Sequence, residues 1–193
     1  MALSGGSRFG GRFFFGVVEG ARVEKLYPAE RLVGARLVLK THELELAGPM
    51  FKQVDSDRER LGLYLPWVAL VNSIADEENY IRSTFVQWHE GRAYDYGIFL
   101  KDSMEYLGNV GAHTISWEDE RCELGYWLTG SGEGKGYMAE AVGLIEAELF
   151  RLGFHRIEIR CNSRNARSAA VPKRCGYVLE GVLREDVVEQ GAR

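Results

Sequence analysis

Between residues 130 and 153 the chain reads Gly130-Ser131-Gly132-Glu133-Gly134-Lys135-Gly136, then an apolar stripe of Met138, Ala141, Val142, Ile145, Leu149 and Leu152, then Gly153. The stripe keeps helical spacing throughout, so it is one helix face that must be buried against another layer. Gly153 stands where a C′ glycine ends a helix. The glycines stand at the other end. There the first helical N–H groups lack intrahelical partners and the helix dipole adds positive potential, which makes the junction an anion site. Glycine also lets the backbone approach a phosphate with no β-carbon in the way. The stretch therefore predicts a ligand that carries phosphate, held by main chain.

Two common phosphate fingerprints do not fit. In a P-loop, Gly134-Lys135 would be followed by Ser or Thr, but Gly136 follows, and Thr129 stands where the first glycine belongs. In a dinucleotide-binding turn, Gly130-x-Gly132 would need glycine at 135, where Lys135 stands.

The segments around the loop set the fold class. Residues 36–40 read as a strand, with Thr41 as the N-cap of a helix carrying Glu43 and Glu45 in its first turn. Met50, Phe51, Val54 and Leu61 follow at helical spacing until Leu65-Pro66-Trp67 interrupts them. Residues 76–88 form a second helix with Ile81, Phe85 and Trp88 on one stripe. Residues 96–101, 106–113 and 121–128 are strand-like and separated by short charged turns, which predicts an antiparallel meander. Beyond the glycine-rich helix, residues 155–161 alternate as a strand with Ile157, Ile159 and Cys161 on one side. A short helix over 166–174 and a last strand over 177–183 complete an α+β order.

Composition narrows the class further. The 193 residues suffice for one domain with its own core. Six of the 23 glycines fall in the first twenty residues, so residues 1–33 read as a Gly-rich arm, flexible or forming a sheet-edge strand, ahead of a domain over 34–193. Within the arm, residues 12–18 have strand composition. The charge balance of 24 Lys+Arg against 28 Asp+Glu argues against a nucleic-acid partner. No apolar run reaches the ~18–20 residues of a membrane helix, so a cytoplasmic protein is expected. Cys122, Cys161 and Cys175 show no metal-ligand spacing; no metal is expected, and the three read as free buried thiols.

Several motifs together carry a family resemblance. Gly134-Lys135-Gly136-Tyr137 resembles the phosphate loop of the GNAT superfamily of N-acetyltransferases. Cys122-Glu123-Leu124-Gly125-Tyr126-Trp127-Leu128 resembles the strand before that loop in the ribosomal-protein (alanine/serine) branch. Asn165-x-x-Ser168-x-x-Val171, with Gly176-Tyr177-x-x-Glu180-Gly181, resembles the branch's second signature, and Glu59-Arg60-Leu61-Gly62 and Leu65-Pro66-Trp67 its acceptor-side helix and loop. The resemblance spans roughly residues 36–184. Ser131 departs from the Gln or Arg often found there. The family also runs through one more strand than this sequence holds, which residues 12–18 or a partner chain would supply by pairing with an open edge.

The resemblance implies a central mixed, mostly antiparallel splayed sheet flanked by helices, and acetyl transfer from acetyl-CoA to a primary amine. The cofactor-binding residues it implies are Leu128, Gly134, Lys135, Gly136, Tyr137, Met138, Asn165 and Ser168. The backbone N–H of Leu128 would be the oxyanion donor, Asn165 would hold the pantetheine arm, and Ser168 would be the general acid for the leaving thiolate. Glu123 is the first candidate for the base, directly or through water, and His113 on the neighbouring strand the second. The implied acceptor is a protein N-terminus; a small amine such as a polyamine or an antibiotic stays open, as does a non-catalytic acyl-CoA-binding module on the same fold. Trp67, Trp88 and Tyr94 are candidates for its mouth, and a monomer or homodimer is expected.

Overall fold

The computed structural model describes residues 27–186. Six strands form one sheet in sequence order: β1 (Arg31–Val33), β2 (Leu37–Thr41), β3 (Tyr94–Leu100), β4 (Tyr106–Ser116), β5 (Arg121–Leu128) and β6 (Arg156–Ile159). Every neighbouring pair is antiparallel except β5 and β6, which run parallel. The parallel pairing follows from the crossover through the glycine-rich segment and its helix. The sheet is mixed and helices flank it, so the α+β reading holds.

The helices divide between the two faces. On one face α4 (Tyr137–Arg151) buries Met138, Ala141, Val142, Ile145 and Leu149 against Leu37, Leu39, Ile98, Val110 and Leu124. The whole stripe read from the sequence is therefore inward, and Gly153 at φ +95° ends the helix. On the other face α1 (Ala47–Ser56), α2 (Arg58–Gly62) and α3 (Ile74–Glu90) form two smaller clusters around Met50, Ile81 and Tyr106, and around Val54, Leu61 and Val68. The sheet alternation serves both layers. Even-numbered residues of β5 join the α4 cluster, and Trp127 joins the opposite one.

Four expectations need correction. Thr41 caps no helix: it ends β2, where its partner is Tyr96, and a 3-10 turn over Leu44–Leu46 leads into α1. Among α1, α2 and α3, the side-chain cap is at Ser73, which accepts from Asp76 N. Phe85 does not join the core stripe of α3; it is 44% exposed, while Ile81 and Thr84 turn inward. Trp88 and Tyr94 line no mouth, because Trp88 packs edge-on against Tyr94 and Tyr96 at 5.0 and 5.1 Å. Cys161 is exposed, not buried, since β6 ends two residues before it.

The last strand is also absent. Residues 177–183 form no strand, and Val178, Leu179, Val182 and Leu183 are exposed. Ion pairs from Arg156 to Glu180 and from Arg160 to Asp186 hold this segment beside β6. Long side chains bridge the two, where a ladder needs backbones ~4.8 Å apart. The strand-like residues 12–18 lie outside the described residues. No helix among the described residues is long and apolar enough to cross a membrane.

Candidate active site

The sheet opens between β5 and β6. Their register runs from Arg121 with Arg156 to Leu124 with Ile159 and stops there. Beyond it, residues 125–128 of β5 keep β4 on one side only, through Gly111–Gly125, Val110–Tyr126, Asn109–Trp127 and Gly108–Leu128. Thr129 N donates to Leu107 O across to β4 at 2.7 Å. Backbone groups alternate direction along a strand, so the N–H groups of Tyr126 and Leu128 point the opposite way, into the opening.

The glycine loop closes one end of that opening. Gly134 and Gly136 adopt φ of +74° and +79°, which other L-residues rarely hold. A β-carbon at Gly134 would meet nothing within 4 Å, so the space beside that residue is open. Gly136 is the N-cap of α4 and has no side chain to cover the helix end. The first N–H groups of α4, from Tyr137 onward, therefore face outward from a left-handed turn, which is an anion cradle.

Side chains hold the cradle in place. Arg36 donates from Nη1 to Lys135 O at 2.9 Å and from Nε to Glu140 Oε2 at 2.8 Å, and its guanidinium lies 4.9 Å from the Tyr137 ring centre. Glu140 also accepts from the Arg36 and Leu37 N–H groups, which tie α4 to the start of β2. On the other side, Asp57 Oδ2 accepts from Gly130 N at 2.9 Å. Arg60 donates to Asp57, to Glu133 Oε1 and to Leu128 O. Arg167 of α5 (Ala166–Arg174) takes the second oxygen of Glu133 at 2.5 Å. The Arg60 contact holds the Asp57 carboxyl below its ordinary value, and Asp57 in turn raises Arg60. Sequence motifs gave no role to Arg36, Asp57 or Arg167, and none to the side chains of Glu133 and Glu140, because each acts through a partner visible only in three dimensions.

The remaining candidates stand on the two faces of the sheet, Ser168 at the opening and Glu123 and His113 before it, where β5 still pairs with β6. On the α4–α5 side, Asn165 is the N-cap of α5 and accepts from Ser168 N at 3.0 Å. Ser168 Oγ lies 3.4 Å from the Tyr126 hydroxyl, which donates to Ser168 O at 3.1 Å. Burial pushes the Tyr126 phenol up to about 12. On the opposite face, His113 and Glu123 are register partners on β4 and β5. His113 Nδ1 is 3.0 Å from Thr114 Oγ1, and its ring leans over Gly125, where a β-carbon would sit 2.9 Å from Nε2. Glu158 of β6 stands beside Glu123 in the parallel register, and Arg156 pairs with it at 2.8 Å. Trp67 packs on Trp127 at 5.8 Å on this same face. A cleft of about 200 Å³ between His42, Trp88 and Asp95 lies two strands away.

A sheet edge that opens beside a glycine-lined helix start is an arrangement suited to a ligand that carries phosphate. The model of the acetyltransferase (GNAT) domain matches residues 36–178, and the chain belongs to that family. It is an N-acetyltransferase with acetyl-CoA as donor. The ribosomal-protein-serine acetyltransferase of Escherichia coli strain K12 is 27% identical over 138 residues, which cover 71% of this chain and 76% of that protein. Among solved structures, the microcin C7 self-immunity acetyltransferase MccE in complex with acetyl-CoA and AMP superposes with a TM-score of 0.78 at 25% identity, covering 82% of this chain and 88% of that one. RimL, a ribosomal L7/L12 α-N-protein acetyltransferase in complex with coenzyme A, shares the fold at a TM-score of 0.79 and 24% identity, covering 84% and 92%.

Proposed function

We propose that this chain transfers the acetyl group of acetyl-CoA to the α-amine of a protein N-terminus. The observation that carries the reading is the opening beside Tyr126 and Leu128, which ends on the Gly134–Gly136 cradle. The donor supplies an activated acetyl group on sulfur. Main-chain N–H groups over residues 134–138, with Lys135 adding a charge, bind the diphosphate. The Leu128 N–H stabilises negative charge on the carbonyl oxygen. Glu123 accepts the proton of the incoming ammonium, directly or through water, and His113 is the second candidate for that task. Ser168 holds the proton for the leaving sulfur, with Tyr126 beside it.

Charge arithmetic favours an α-amine. Its pKa of ~7.7–8.0 against ~10.4 for lysine makes deprotonation easier by about 3.5 kcal/mol at neutral pH. The names of the ribosomal-protein relatives support the same acceptor class. A small-molecule amine is the second reading, favoured by the likeness to MccE. The division into an arm over 1–33 and a transferase domain over 34–193 belongs to the same proposal; the family match from residue 36 supports it, and β1 joins the arm to the sheet.

The test is a thiol-release assay with acetyl-CoA against three acceptor sets: peptides with free N-termini, the same peptides N-blocked with internal lysine, and small amines including polyamines. Turnover confined to free N-termini supports the reading. Turnover on polyamines alone transfers it to the second one, and none with any amine removes both.

A further inference from the structure

Helix α2 carries two arginines two residues apart that reach in opposite directions. Arg60 reaches the end of β5 and the turn after it, through Leu128 O at 2.8 Å and Glu133 Oε1 at 2.5 Å. Arg58 reaches the segment after α2 itself, through Val68 O and Val71 O, both at 2.7 Å. Each arginine is oriented by an aspartate three residues before it, Arg58 by Asp55 and Arg60 by Asp57. Asp57, the N-cap residue of α2, also fixes Gly130 N, so the turn over 128–133 hangs on this short helix and its cap. The segment held by Arg58 contains Trp67, whose ring packs on Trp127, on the sheet face that bears Glu123 and His113.

We infer that α2 couples the two substrate sites: Arg60 and Arg58 are positioning residues, and ordering of the donor loop over 128–138 orders the segment over 66–71, which carries Pro66 and Trp67 of the motif that resembles the family's acceptor-side loop. The inference rests on the donor reading above. Its physical basis is a short chain of charge-assisted bonds to main-chain carbonyls and a carboxylate. Arg60, Asp57 and Glu133 have only 22–29% of their side chains exposed, so water competes weakly for these bonds. A guanidinium is planar and forked, so a shift of Leu128 or Glu133 must move Arg60 as a body. Helix α2 has only five residues and Arg58 stands at its start, so that shift reaches the carbonyls of Val68 and Val71.

Hydrogen–deuterium exchange on the full chain, with coenzyme A as the probe, tests this. In the wild type coenzyme A slows exchange over 128–138 and also over 66–71. In Arg60→Gln the dissociation constant of coenzyme A rises about tenfold, and saturating coenzyme A protects 128–138 but no longer 66–71. Glu133→Gln changes no residue of α2 and gives the same split, which separates lost coupling from a misfolded helix. Arg58→Gln keeps coenzyme A affinity within twofold while the acceptor KM rises at least fivefold. Protection of 66–71 that persists in both Arg60→Gln and Glu133→Gln overturns the coupling. So does protection confined to 128–138 in the wild type. A wild-type chain with no protection at 128–138 removes the donor reading and the coupling with it.

Discussion

Ser168 Oγ and the Tyr126 hydroxyl lie 3.4 Å apart, one on the helix after β6 and one on β5. They bridge the α4–α5 side of the opening, where sulfur would leave. Ser168→Ala is expected to lower kcat by about 100-fold, as loss of a general acid does, with the dissociation constant of coenzyme A changed less than threefold. Tyr126→Phe keeps the ring and removes only the hydroxyl, so a comparable loss there assigns the proton to the pair. Stopped assays of thiol release and calorimetric titration with coenzyme A read the two quantities separately. Unchanged turnover in Ser168→Ala removes that residue from the chemistry.

Glu123 and His113 face one another across β5 and β4, and only one of them is needed as base. The variant that removes the true base loses the acidic limb of the kcat/KM pH profile, and turnover falls by about 100-fold or more. The other variant keeps the limb. If both keep it, a water or the acceptor itself loses the proton unaided.

Gly134 holds φ +74° over open space, so a methyl group there meets no neighbour but strains the backbone. Gly134→Ala is expected to weaken acetyl-CoA binding about tenfold, the equivalent of ~1–2 kcal/mol for a left-handed L-residue. Gly48→Ala is the control, because it lies in α1 with nothing within 4 Å of the added carbon. Calorimetric titrations of both variants should show the first weakened and the second unchanged.

Two buried groups predict opposite pH windows for stability. Burial lowers His42 from 6.5 to about 4, against the opposing hydrogen bond to Asn109. The unfolded chain takes the proton more readily, so stability is full above pH 6.5 and falls by about 3 kcal/mol as pH drops towards 4. Denaturant melts at pH 7 and pH 4 measure this, and His42→Asn should flatten the difference.

Glu77 is 2% exposed and its Oε1 has no hydrogen-bond partner, so burial raises it from 4.5 to about 7. Here the unfolded chain ionises first, and the cost accumulates as pH rises from 4.5 to 7. Glu77→Gln should therefore stabilise the protein at pH 8 by up to about 3 kcal/mol and change nothing at pH 4. Equal melting midpoints for wild type and variant at pH 8 would disprove it.

What the sequence determined by itself was local or periodic. The stripe from Met138 to Leu152, the meander and the glycine turn into α4 are written in neighbouring residues, because burial on one face imposes a period and a left-handed turn needs glycine. The Ala166–Arg174 helix emerged with the observed bounds for the same reason: Asn165 caps its own chain three residues on. Thr41 misled because its neighbourhood also suits a cap, and only pairing with Tyr96 makes it strand. Residues 177–183 misled because strand composition makes no strand where no ladder forms. The tertiary structure alone decided that β5 and β6 part after Leu124, that Tyr126 meets Ser168, and that Arg60 ties α2 to Leu128. Those relations join residues 35 to 68 positions apart, and no periodicity encodes which side chains meet across such distances; packing two layers on one twisted sheet does.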